Sequence, residues 1–296
     1  MKSLIKITIA FFSFIPLIAF TSCSSGHRSS HLASVSKNDI PLPKPKAGDW
    51  LFSHKETGQS LAEFRNSKPL KPNKTAQTIY LKPIGGFTGL KLREIEACRA
   101  YLEIFFQIKT VILKQSGDEV VPASARRIGP QQHEQLLATY LRDTVIAKEK
   151  AKDAIAIMGI TEMDLYPDPK WNYVFGLASY QEGLAVSSVF RLQNGPLSEK
   201  NYKLSLIRLL KISSHEIGHI FGLKHCIYAS CVMNGTNNML ETDKSVLRLC
   251  SNCLSKLNSS LNFDNEKRLM ELIKFFKLNT MQSDLIMMKR DLSLVQ

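Results

Sequence analysis

His215-Glu216-Ile217-Gly218-His219-Ile220-Phe221-Gly222-Leu223-Lys224-His225 is the stretch around which this sequence is organised. Two histidines four apart on a helix share one side, one turn from each other. Both imidazoles can then hold one Zn²⁺ without bending the backbone. Gly222 stands three residues after His219, where a left-handed turn lets the chain leave the helix sharply. That turn can bring His225 round as a third nitrogen ligand. Three protein ligands leave the fourth tetrahedral position to water, the pattern of a catalytic zinc rather than a structural one. Glu216 directly follows the first ligand and can reach that water as a general base.

The residues that follow narrow the reading. Cys226 abuts the third histidine, and Cys231, Met233, Cys250 and Cys253 come after it. The string H-E-x-x-H-x-x-G-x-x-H-C-x₄-C-x-M, with C-x-x-C further on, resembles the archaemetzincins, a family of metzincin-clan zinc peptidases. The resemblance implies a second, structural zinc held by Cys226, Cys231, Cys250 and Cys253. It also implies that Met233 lies in a tight Met-turn beneath the catalytic metal. Two zinc ions per chain are therefore expected, one catalytic and one structural. Without the resemblance, four cysteines in two close pairs of an exported protein also read as two disulfides with three possible connectivities. Cys98 lies in a helical pattern and reads as a buried free thiol.

The start of the chain reads as an export signal. Lys2 and Lys6 precede an apolar run from Ile7 to Phe20, which is short for a membrane span. Ala19-Phe20-Thr21-Ser22-Cys23 resembles a bacterial lipobox, in which Cys23 would be lipidated; the alternative reading is ordinary signal cleavage near Ser22 or Ser25. The expected organisation is a signal over 1–23, a flexible Ser/Pro/Lys linker over 24–47, and a catalytic domain over 48–278. Within that domain the core spans about 76–262 and a last helix about 264–277, before a tail at 279–296. Asp49-Trp50-Leu51-Phe52-Ser53-His54 is an apolar cluster that should dock on the domain, and the resemblance extends back to it.

Between these landmarks, Thr78 to Ile84 reads as a strand. Leu92, Ile95, Leu102, Phe105 and Phe106 mark a helix. Thr110 to Leu113 reads as a strand, and Pro130 to Ala147 as a helix. Ala154 to Ile160 is an apolar run suited to a central strand covered on both faces. The order argues for an α/β layered domain with a largely parallel, twisted sheet. The resemblance adds an antiparallel edge strand along the cleft, expected at Gly183 to Phe190, where free N–H and C=O groups can pair with a peptide. Lys203 to Leu223 forms one long active-site helix. Asp264 should cap a last helix striped with Leu269, Leu272, Ile273 and Phe276.

A net charge of +13 invites a nucleic-acid reading, but the Lys and Arg residues are dispersed, with no dense basic block. The expected activity is hydrolysis of peptide or protein substrates by a monomeric zinc metallopeptidase. No nucleic-acid partner is expected, and membrane attachment would come only through the lipid anchor, facing the periplasm or cell surface. A second class of function is an exported, zinc-stabilised binding or scaffold protein with weak or no peptidase activity.

Overall fold

The computed structural model describes residues 34–193 and 195–296. The signal over 1–23, with Cys23, and the first part of the expected linker lie outside the described residues. Among the described residues eight strands form two sheets: β1 (Thr78–Ile84), β2 (Thr110–Ile112), β3 (Arg126–Ile128), β4 (Glu134–Leu137), β5 (Ala154–Thr161), β6 (Asp164–Tyr166), β7 (Gly176–Ala178) and β8 (Leu184–Ser188). The larger sheet runs β2-β1-β5-β8-β7, with every pairing parallel except β7 on β8. The smaller one runs β3-β4-β6. The mixed α/β class expected from the sequence is the one observed.

All eight residues of β5 are buried, because helices cover both faces of the sheet. Ile79, Leu81, Ala156, Met158 and Ile160 face a core shared with helices α1 (Gly89–Phe106) and α2 (Tyr202–Ile220). Ile157, Leu184 and Val186 face the other way, onto Leu141 and Ile146. Alternate residues of one strand thus serve two cores, as strand geometry requires. Gly159 permits the second contact, since a Cβ there would fall 2.6 Å from Ile146 Cδ1.

Two expected elements change. Helix begins only at Ala138 and runs through a π-helical stretch, Leu141–Ile146, to Glu149. The segment before it, expected as helix from Pro130, is strand β4, parallel to β6. There Gln135 is buried and donates to the Asp164 carboxylate at 2.6 Å. Pairing with β6 overrides helix propensity at these positions. The antiparallel edge strand is β7, not Gly183 to Phe190. All five residues of β8 are buried and it lies between β5 and β7, so its backbone is already paired.

The C-terminal part folds as α3 (Ser251–Leu261), α4 (Asn265–Leu278) and α5 (Gln282–Leu292). Asp264 caps α4, accepting from Lys267 N at 3.0 Å. The tail expected from 279 carries a further helix, α5. The end of the expected linker is also tied down. Val35 is fully buried, and Asp39 accepts from Ser251 at the start of α3 and pairs with Arg248 at 2.7 Å. Arg248 is itself buried and held by Asp291 of α5. No helix among the described residues is long and apolar enough to cross a membrane.

Candidate active site

Helix α2 carries His215, Glu216 and His219 in its last turns. It stops where Gly222 adopts φ +88°, and Leu223 N returns to Gly218 O at 3.0 Å. The turn brings His225 back, so that one ring nitrogen from each of His215, His219 and His225 lies within 4.8 Å of the others. Each outer nitrogen is engaged. His215 Nδ1 meets Val232 O at 2.8 Å, and His219 Nδ1 meets Leu223 O at 2.6 Å. A carbonyl only accepts, so both Nδ1 atoms carry the proton. Burial lowers the pKa of His215 to about 3 and that of His219 well below 6.5, which keeps both rings neutral. Their two Nε2 lone pairs then face each other at 2.9 Å. Two acceptors pointed together need a cation between them, and neutral imidazoles oriented by second hydrogen bonds are what zinc takes.

The third histidine is oriented differently. Its Nδ1 donates to Glu56 Oε1 at 2.7 Å. Trp50 Nε1 donates to the same oxygen at 3.0 Å, and the Trp50 ring meets His225 edge-on at 5.1 Å. The Asp49–His54 cluster therefore docks on the histidine site, with Trp50 stacked on His54 at 3.8 Å. Gly235 makes room for that indole, since a Cβ there would fall 2.4 Å from Trp50 Cδ1. Glu56 carried no motif signal; only its nearness to the Trp50 cluster hinted at a role.

Met233 is fully buried beneath the helix. A Cβ on Gly218 would fall 2.4 Å from its sulfur, so the glycine inside H-E-I-G-H is required by this contact. Asn234 holds the turn together, donating to Cys226 O at 2.7 Å and accepting from Cys231 N at 2.7 Å.

Glu216 is buried, and burial raises its carboxyl to about 8; a neighbouring cation acts in the opposite direction. Its carboxylate lies against the edge strand, where a Cβ on Gly176 would fall 2.6 Å from Oε1. Gly176 is a second residue that the motifs did not reveal. Register pairs Gly176 with Ser187, Leu177 with Val186 and Ala178 with Ala185. Ser188 N bonds Phe175 O and Ser179 N bonds Leu184 O. By antiparallel alternation, the backbone groups of Gly176 and Ala178 point to the open edge. Above them lies a cleft of about 620 Å³ lined by Trp50, Trp171, Tyr173, Tyr180, Glu216 and the three histidines. Its far wall is fastened by Arg127, which donates to the carbonyls of Pro169, Trp171 and Asn172. Arg191 also supports it, stacking on Tyr173 while binding Asp164.

Beside this site, Cys226, Cys231, Cys250 and Cys253 bring their sulfurs within 4.8 Å of one another, all four buried and none in a disulfide. Cys226 and Cys250 sulfurs are 3.5 Å apart, against about 2.05 Å for a bond. Four thiols around one point at this spacing match a tetrahedral sulfur site, where Zn–S of about 2.3 Å puts sulfurs a little under 4 Å apart.

Known proteins decide the family. The sequence model of peptidase family M54 matches residues 131–259. Archaemetzincin-2 of Pongo abelii is 30% identical over 273 residues, spanning 79% of this chain and 74% of that protein. The chain belongs to the archaemetzincin family. The archaemetzincin of Pyrococcus furiosus is 38% identical over 128 residues, covering 43% of this chain and 66% of that protein. The crystal structure of archaemetzincin from Methanopyrus kandleri superposes with a TM-score of 0.53 at 28% identity, covering 65% of this chain and 99% of that one. This archaemetzincin is a zinc-dependent metallopeptidase.

Proposed function

We propose that this archaemetzincin hydrolyses peptide bonds at His215, His219 and His225 with Glu216 as general base, and that Cys226, Cys231, Cys250 and Cys253 hold a second zinc with a structural role. The observation that supports the reading is that Glu216 and the three histidines line one cleft, with the Glu216 carboxylate against Gly176 of the edge strand β7. When bound, zinc supplies Lewis acidity that polarises the scissile carbonyl and makes water more acidic. The rest falls to the chain. An extended substrate adds to β7 through the outward backbone groups of Gly176 and the N–H of Ala178, whose carbonyl already accepts from Arg142 at 3.2 Å, and this sets the substrate carbonyl near the histidines. Glu216 accepts the proton of the attacking water and returns it to the leaving nitrogen. The Trp50, Trp171 and Tyr173 walls limit solvent access to the reacting groups. The test is mass-spectrometric profiling of a random peptide pool with zinc-loaded wild type and Glu216→Gln. Cleavage by wild type alone supports the reading, and equal cleavage by both removes Glu216 from the role.

We also propose export and lipid attachment at Cys23, supported by the lipobox-like sequence. A Cys23→Ala variant that partitions into membranes as wild type does would contradict it.

A further inference from the structure

One turn of α2 before the first zinc histidine stands Lys211. It is only 7% exposed, yet it lines the cleft together with Ile212, Val232, Thr242 and Ser245. Ile212, Val232 and Thr242 are themselves buried, so this end of the cleft is a pocket floor rather than a rim. A spacing of four residues puts that floor about 6 Å along the helix axis from His215. That is the reach of a substrate side chain flanking the cleaved bond.

The lysine is incompletely matched. Nζ donates to Thr242 O and Asp243 O, each at 3.0 Å. An ammonium has three protons, so one remains. Nζ forms no ion pair among the described residues. The adjacent carboxylate, Asp243, is taken by Arg208 in a two-pronged contact at 2.8 and 2.6 Å. Burial draws the lysine's pKa down, and the pull of the Asp284 and Asp243 carboxylates, neither of them in an ion pair with Nζ, opposes it. Two carbonyls and no paired carboxylate leave a buried positive charge that an incoming anion would satisfy.

We propose that Lys211 is a specificity-determining residue: it forms a cationic floor that selects peptides with aspartate or glutamate next to the cleaved bond. The proposal rests on the peptidase reading and names its substrate class. The acidic side chain enters past Ile212 and Val232, whose apolar walls exclude water and strengthen the charge pairing. A neutral Asn or Gln analogue gains the same walls but leaves the ammonium unpaired, which is the larger source of discrimination.

The test passes one random peptide pool over immobilised, zinc-loaded Glu216→Gln protein and digests the same pool with wild type. The protein is basic overall, so acidic peptides are enriched generally; the signal that matters sits at one fixed position. We expect Asp or Glu over Asn or Gln at that position by about tenfold, in bound peptides and beside the cleavage site alike. Lys211→Met abolishes the preference, Lys211→Glu turns it toward Lys and Arg, and Lys211→Arg retains it. A wild-type profile without a positional acid preference overturns the proposal and needs no variant to fold. So does a preference that survives Lys211→Met. Absence of cleavage with the bound-peptide preference intact would instead count against the peptidase reading alone.

Discussion

Two ligand clusters meet at a single peptide bond, between His225 and Cys226, and their surroundings are opposite. The cysteine cluster is closed: all four residues are buried. The 39–41 segment wraps it, with Pro41 bridging Ala229 and Ser230 N bonding Ile40 O. The histidine cluster is buried only at His219, while His215 and His225 stay partly open to the cleft. Its support comes from hydrogen bonds to the outer ring nitrogens rather than from a sealed shell. The contrast teaches that ligand count and ligand enclosure go together. Four ligands with no access hold structure together, and three with one open side leave room for chemistry.

The strongest way to break the contrast is to disable the closed cluster. Cys253→Ser should unfold the C-terminal part, because a structural zinc contributes about 10–16 kcal/mol in apparent binding and folding energy. His225 is then lost as well, being the neighbour of Cys226. Circular dichroism and zinc content read the result; a native melting temperature with the metal content unchanged would end the structural assignment. Next in size, Glu216→Gln should lower turnover by about 10²–10⁴-fold while zinc content stays that of wild type, measured by metal analysis beside peptidase assay. Gly176→Ala probes the open side from the strand. Its methyl would collide with the Glu216 carboxylate, and a displacement of about 1 Å costs about 100-fold in kcat. Unimpaired kcat would show that the edge strand and Glu216 are not in register. The smallest effect sharpens the comparison within the open site. Glu56→Gln should weaken zinc at the histidines by about 10–100-fold, seen by competition with a chelator, and leave the cysteine zinc in place.

Much of this architecture was legible in the sequence, for definable reasons. The H-E-x-x-H spacing, Gly222 and the paired cysteines are local patterns in which the chemistry sets the interval. Ala154 to Ile160 announced a central strand because both its faces are apolar. What escaped depended on distant partners. Gln135 sits in a strand because Asp164 waits for its amide, and nothing near Pro130 carries that information. The sequence reading set the open edge at Gly183 to Phe190, a segment that is buried, and the open edge falls instead on the three-residue strand Gly176–Ala178, too short for a period to show. Gly176 and Gly218 are glycines for the sake of Glu216 and Met233, contacts made across the fold. Glu56 belongs to the site only because the Trp50 cluster docks there.

The account stands most directly on the number of zinc ions and where they sit. Native mass spectrometry of the protein and of His219→Ala, each with zinc in excess and then desalted, measures both at once. Two zinc ions on the wild type and one on the folded variant are predicted, the survivor being the cysteine-bound ion. One ion on both proteins, or two on both, would contradict an open histidine site standing beside a closed cysteine one.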